Sequence, residues 1–168
     1  LALLLRPALT EAEVAARKGK DDAYFVGEQP ERASLWLADY LPSGECLLRG
    51  VVSPPDRHVS EFTWSADGRY VGISHTYSAG ADDWTTADIA LFDTQAGKLS
   101  ELMTSGAAES QPVFSPDGRY LAAMVSESPA VWGGKLLAHY VPLTGGPTVI
   151  LPETADGGGR YTQLLGFT

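Results

Sequence analysis

The chain has 168 residues, 44% hydrophobic and 20% charged, the make-up of one folded globular unit or part of one rather than of a disordered segment. Its 21 acidic against 12 basic side chains give a net charge of −9, which excludes nucleic acid and an anionic membrane as expected partners, because long-range repulsion precedes any contact. A single cysteine, Cys46, excludes an internal disulfide framework and a cysteine-cluster zinc site, and is expected as a small core residue.

The opening LALLLRPALT carries an apolar run of five residues stopped by Arg6 and Pro7, with no basic region before it. That fits neither a secretion signal nor a membrane span. Compartment stays open between cytoplasm and periplasm. Without an initiator methionine, the natural start is expected upstream. Residues 1–21 read as a lead-in, within which Thr10 and Glu13 have the spacing of a capping box; a short helix is predicted, ended by Gly19. From Asp22 onward the pattern is that of strands. DAYFVGE reads as a second strand and SLWLADYLPSGECLLRGVV, from Ser34, as an outer hairpin, with Asp39 and Gly44 in the places that Asp93 and Gly97 take later.

The strongest signal is a duplication. EFTWSADGRYVGIS begins at Glu61 and PVFSPDGRYLAAMVS at Pro112, so that Ser65, Asp67, Gly68, Arg69 and Tyr70 recur 50 residues later as Ser115, Asp117, Gly118, Arg119 and Tyr120. An Asp-Gly pair between apolar runs closes a hairpin: the carboxylate accepts local backbone N–H groups and the glycine takes positive φ. Asp67, Gly68, Asp117 and Gly118 are therefore expected as structural turn residues, with Arg69 and Arg119 extending into solvent or pairing with a neighbouring blade. Further pairs of strand-like runs begin at Asp88 and Lys135, turning at Gln95-Ala96-Gly97 and Thr144-Gly145-Gly146.

Four strands per repeat with no helix between copies predicts an all-β chain, a partial β-propeller of roughly three four-stranded antiparallel blades. The blades are expected over residues 22–55, 56–107 and 108–155, with 156–168 beginning another through YTQLLGFT. Such an extent leaves two apolar blade faces to be covered.

Strand alternation places the links between second and third strands on one ring face, opposite the Asp-Gly turns. One link carries Asp82, Asp83 and Trp84, the other Glu127 and Trp132. Two readings are open: the tryptophans fold over the blade edge as ordinary apolar cover, or they line a cavity where the carboxylates attract a peptide's amino terminus. His58, His75 and His139 lack metal-motif spacing, and Asp82 and Asp83 lack the alternating acids of a calcium loop, so no metal or cofactor is expected. Gly72-Ile73-Ser74-His75-Thr76 is the closest string to a nucleophile elbow but lacks the second glycine and falls in a predicted strand; no catalytic residue is assigned.

WSADGRYVGIS and FSPDGRYLAAM resemble the WD40-like repeats of TolB-type propellers and of the propeller domains in prolyl-oligopeptidase-family serine peptidases. The resemblance covers nearly all of residues 22–168, and ADDWTTADIALFDTQAGKLSEL, LLAHYVPLTGGPTVILPET and the lead-in EVAARKGKDDAYFV look like the acylaminoacyl- and dipeptidyl-peptidase branch. This implies a non-catalytic propeller that gates access of peptide substrates to a covalently linked C-terminal α/β-hydrolase domain. The alternative it implies is a TolB-like protein-binding propeller of the bacterial envelope. A carbohydrate-processing propeller would need paired acids across the central channel, and no such pair stands out.

Overall fold

The computed structural model describes residues 1–21, 31–152 and 166–167, which form three antiparallel sheets and one helix. Strand β1 (Ala2–Leu5), helix α1 (Glu11–Gly19) and strands β2 (Ser34–Tyr40) and β3 (Cys46–Val51) come first, the strands ordered β1-β2-β3. The second sheet holds β4 (His58–Trp64), β5 (Tyr70–Thr76), β6 (Asp88–Asp93) and β7 (Lys98–Met103) in sequential order. The third repeats it with β8 (Glu109–Phe114), β9 (Tyr120–Ser126), β10 (Leu136–Pro142) and β11 (Val149–Ile150). This is the all-β blade architecture that the repeat implies.

The duplicated turn forms the same bonds twice. Ser65 Oγ donates to Asp67 Oδ1 (2.6 Å) and accepts from the Tyr70 N–H (2.8 Å), while the Arg69 N–H donates to the same carboxylate oxygen (3.0 Å). In the next copy the corresponding distances at Ser115, Tyr120 and Arg119 are 2.6, 3.0 and 3.1 Å. Gly68 and Gly118 have φ of 71° and 66°, a left-handed conformation that glycine adopts without steric cost. The arginines part company for a legible reason. Asp93 lies opposite Tyr70 and receives Arg69 Nη2 (2.9 Å), whereas the residue opposite Tyr120 is Pro142, with no acceptor side chain, so Arg119 Nε turns back onto Asp117 (2.6 Å). Among the described residues both arginines thus pair within their own blade.

The core lies between the sheets. Strand β5 is buried from Val71 to Thr76 because it is covered on both faces. Val71 and Ile73 join Leu35, Val59 and Ala90 between the first and second sheets; Leu91, Met103, Phe114, Leu121 and Val125 pack between the second and third. Each such large side chain contributes about 1.5–3 kcal/mol.

Three expectations change. Within the lead-in, expected to depart from the strand pattern, Ala2–Leu5 form a strand: β1 pairs antiparallel with β2, Ala2 opposite Leu37 and Leu5 opposite Ser34, beside β2 as β5 lies beside β6. Helix α1 has its full capping box at Thr10 and Glu13, but Gly19 is its last helical residue and Lys20 takes the left-handed cap with φ 56°. Cys46 is exposed at the start of edge strand β3, not in the core. DAYFVGE lies outside the described residues, as does YTQLLGFT apart from Gly166 and Phe167.

Candidate functional site

Each link between a blade's second and third strands is held by its own polar contacts. In the β5–β6 link a 3₁₀ turn runs over Ala81–Thr86; Thr86 Oγ1 donates to the Asp83 carbonyl (2.7 Å) and accepts from the Tyr77 N–H (3.0 Å). The β9–β10 link closes through the Glu127 N–H on the Lys135 carbonyl (3.1 Å). Gly134 packs closely there: a Cβ would lie 2.5 Å from Glu127 Oε1, which would have to swing aside, and 3.1 Å from the Val131 carbonyl oxygen.

These unlike links bring Trp84 and Trp132 together, ring centroids 5.0 Å apart and planes tilted at 51°. The rings form one wall of a cavity of about 320 Å³ between the second and third blades, at the low end of small-ligand pockets. Ser60, Ser74, Ser126 and Leu136 also line it, and Glu61 and Gln111 come from within the first strands of the two blades, β4 and β8.

The polar lining is fixed by bonds within the protein. Ser74 Oγ, fully buried, donates to the Glu109 carbonyl (3.1 Å), and Ser60 Oγ donates to the Ser74 carbonyl (3.2 Å). Thr76 Oγ1 donates to the Ser78 carbonyl (2.7 Å), and Ser126 Oγ to the Glu127 carbonyl (2.9 Å). Across the cavity mouth the Gln111 N–H donates to Glu61 Oε2 at 2.6 Å, a bond from one blade to the next. Gln111 lies in a β-bulge and holds φ at 54°, a left-handed conformation that costs a non-glycine residue on the order of 1–3 kcal/mol.

The structure therefore joins Trp84 and Trp132 but not the carboxylates expected with them. In the first turn of the 3₁₀ segment Asp82 is exposed and Asp83 half-buried, and Glu127 is exposed beside Gly134; none of the three lines the cavity. Sequence reasoning missed Ser60-Glu61 and Ser110-Gln111, although these polar pairs recur at the repeat spacing and so carried a signal.

Other titratable groups are buried between sheets. Glu109 is fully buried; Oε1 accepts from the Ser105 N–H (2.8 Å) and hydroxyl (2.5 Å), while Oε2 has no partner among the described residues. Burial pushes its pKa above the ordinary 4.5, and the Ser105 bonds oppose this. Burial likewise raises Asp88, opposite the buried His75, whose Nε2 lies 3.3 Å from Glu101 Oε2. His58 is lowered by burial and its Nδ1 accepts the Ala33 N–H (3.0 Å), a packing role; His139 is also lowered by burial. Ser74 of the Gly72–Thr76 string sits inside β5, without the sharp turn a nucleophile needs. Among the described residues no three His, Cys, Asp or Glu side chains cluster as metal ligands.

No family model matches the chain. It is 34% identical over 77 residues to the Tol-Pal system protein TolB of Francisella tularensis strains SCHU S4 and FSC147, a match covering 46% of this chain and 16% of each relative. A solved structure from Agrobacterium tumefaciens that carries the TolB name superposes with a TM-score of 0.56 at 15% identity, over 78% of this chain and 44% of that one. The crystal structure of TolB from Acinetobacter baumannii superposes with a TM-score of 0.51, also at 15% identity, over 93% of this chain and 31% of that one. The fold is that of a TolB-like β-propeller. The chain spans less than half the length of each of these TolB proteins.

Proposed function

We propose that this chain is a non-catalytic, protein-binding part of a TolB-like propeller of the bacterial envelope, and that a partner docks on the ring face carrying the β5–β6 and β9–β10 links. The observation that carries this reading is the Trp84–Trp132 wall, in which Trp132 is 59% exposed over a cavity bridged by the Glu61–Gln111 bond. Exposed aromatic anchors beside a pocket are the usual source of binding energy at protein interfaces. Strain at Gln111 on the cavity mouth points to the same place. The Tol-Pal system names of the relatives support the envelope setting. Gating of peptide access to a covalently attached α/β-hydrolase domain would use the same face, but the relatives and solved structures named above are TolB proteins, which favours the binding reading.

A photo-crosslinking residue placed at Trp132 in the full-length protein, inside its own cell, tests this. Intermolecular adducts with one defined protein are expected, absent when the probe stands at Asp117 on the opposite face. Adducts confined to another domain of the same chain would replace the binding reading with the gating one.

A further inference from the structure

Resting on the binding reading above, the chemistry of the cavity wall narrows the ligand. We infer that the cavity takes a basic side chain, arginine or lysine, presented by an extended segment of the partner protein.

The first argument is an account of donors. A hydroxyl has one hydrogen and two lone pairs. Ser60, Ser74, Thr76 and Ser126 each spend that hydrogen on a carbonyl of this chain, those of Ser74, Glu109, Ser78 and Glu127 respectively. Ser74 is fully buried and Ser126 already accepts the Ala108 N–H (2.9 Å), so what Ser60, Thr76 and Ser126 can still turn toward a ligand is lone pairs, which favours a ligand rich in N–H donors.

Charge points the same way. Glu61 is in the wall, and Asp82, Asp83 and Glu127 stand on the two links, against Lys135 as the basic residue of those links. Two arginines reach the base of the first link, and both are engaged at Tyr77: Arg32 Nε donates to its carbonyl (3.0 Å) and Arg57 lies 4.1 Å from its ring centre. An acidic side chain would meet like charge. A sugar ring also stacks on tryptophan, but its hydroxyls need acceptors and donors in alternation.

Aromatic faces complete the match. At 5.0 Å the two rings already touch, so a ligand lies against them rather than between them. A guanidinium or ammonium over an indole is attracted by the ring quadrupole, most strongly when water is excluded. The chain stacks its own cations in this way at Arg57 on Tyr77 and Arg69 on Tyr70.

The test uses Gly-Gly-Arg-Gly-Gly with both ends blocked, the isosteric citrulline peptide, and a citrulline peptide with a free amino terminus, each titrated into the chain. Binding is read from the indole N–H NMR signals of Trp84 and Trp132. The blocked arginine peptide is expected to bind at least about fivefold more tightly than blocked citrulline. That preference should shrink in Glu61→Gln, which keeps an acceptor for the Gln111 N–H, and in high salt. Equal binding of arginine and citrulline overturns the charge inference and leaves the binding reading standing. Tightest binding by the free amino terminus overturns the side-chain assignment. Failure of all three peptides at millimolar concentration overturns the cavity as a peptide site altogether.

Discussion

Gly72, in the middle of β5, should be the residue whose enlargement is felt most directly by blade packing. A Cβ there would lie 2.7 Å from Leu121 Cδ1, 3.3 Å from Thr63 Cγ2 and 3.5 Å from Phe114 Cε2. Leu121 is fully buried among Ile89, Phe114 and Val125, so it must retreat by roughly 1 Å to restore ordinary carbon–carbon contact. Overpacking of this kind costs about 1–3 kcal/mol. Narrowing the unfolded chain by replacing glycine returns about 0.4–1 kcal/mol. Gly72→Ala is therefore expected to destabilise by about 1–2 kcal/mol, and Leu121→Ala, by opening a cavity, by about 2–5 kcal/mol. In the double variant the new methyl enters the space that Cδ1 vacates, so the two losses should fall short of their sum by about 1 kcal/mol. Urea unfolding of all four proteins, with a shared slope, measures this. Losses that add to within about 0.3 kcal/mol would refute the contact between second and third blades on which the argument rests.

Two further outcomes follow from buried and turn carboxylates. Glu109 has its folded pKa raised by burial, so the stability its neutral form provides is present below the unfolded value near 4.5 and lost as pH rises through the folded one. Glu109→Gln should remove that fall and be more stable than the parent at mildly alkaline pH by about 1 kcal/mol, with the difference closing in acid; parallel urea midpoints across pH would contradict it. Asp117 is held at about 2, first by the Ser115 hydroxyl and then by the Arg119 N–H, so its contribution is present above its ordinary 3.8 and lost as pH falls through about 2. Ser115→Ala should raise the Asp117 pKa toward the ordinary value in a carboxyl-carbon NMR titration, and an unmoved midpoint would discard the hydroxyl as its main cause.

The parts of this fold that were legible in the sequence are those whose cause is local. The Ser-x-Asp-Gly-Arg-Tyr turn and the Thr10–Glu13 box each close their bonds within a few residues, so spacing alone reveals them. Strand β1 was not legible because its partner β2 lies some thirty residues away, and a run of five apolar residues cut by Pro7 has no alternation of its own. Cys46 was misplaced because the general preference of cysteine for interiors says nothing about which strand forms a sheet edge. The arginine partners depended on register: only pairing tells that Asp93 faces Tyr70 while Pro142 faces Tyr120. For the cavity, the tryptophans were readable from the two links and Ser60 and Ser110 from the repeat, but the buried hydroxyls of Ser74 and Ser126 were not. Serines in strands read as solvent-facing until a neighbouring blade covers them, as happens to Ser74 and Ser126.

A comparison between the two blades separates what the scaffold requires from what it carries. Where a position serves the blade itself, the chain repeats both the residue and its bonds, as at Ser65 and Ser115. The tryptophans follow another rule. Trp84 stands in a 3₁₀ turn stabilised by Thr86, and Trp132 in a glycine loop closed between Glu127 and Lys135, so the same residue type recurs on unlike local structure. Turn mechanics cannot account for that recurrence. Their mutual contact supplies about 0.5–1.5 kcal/mol, a reason for one ring beside the other, but a pair kept for packing alone would be buried. Trp132 instead leaves 59% of its surface in solvent, at the mouth of a cavity held by a strained residue of the adjacent strand. The exposure of Trp132 is therefore what blade packing leaves unexplained, and it is the feature on which the proposed docking face rests.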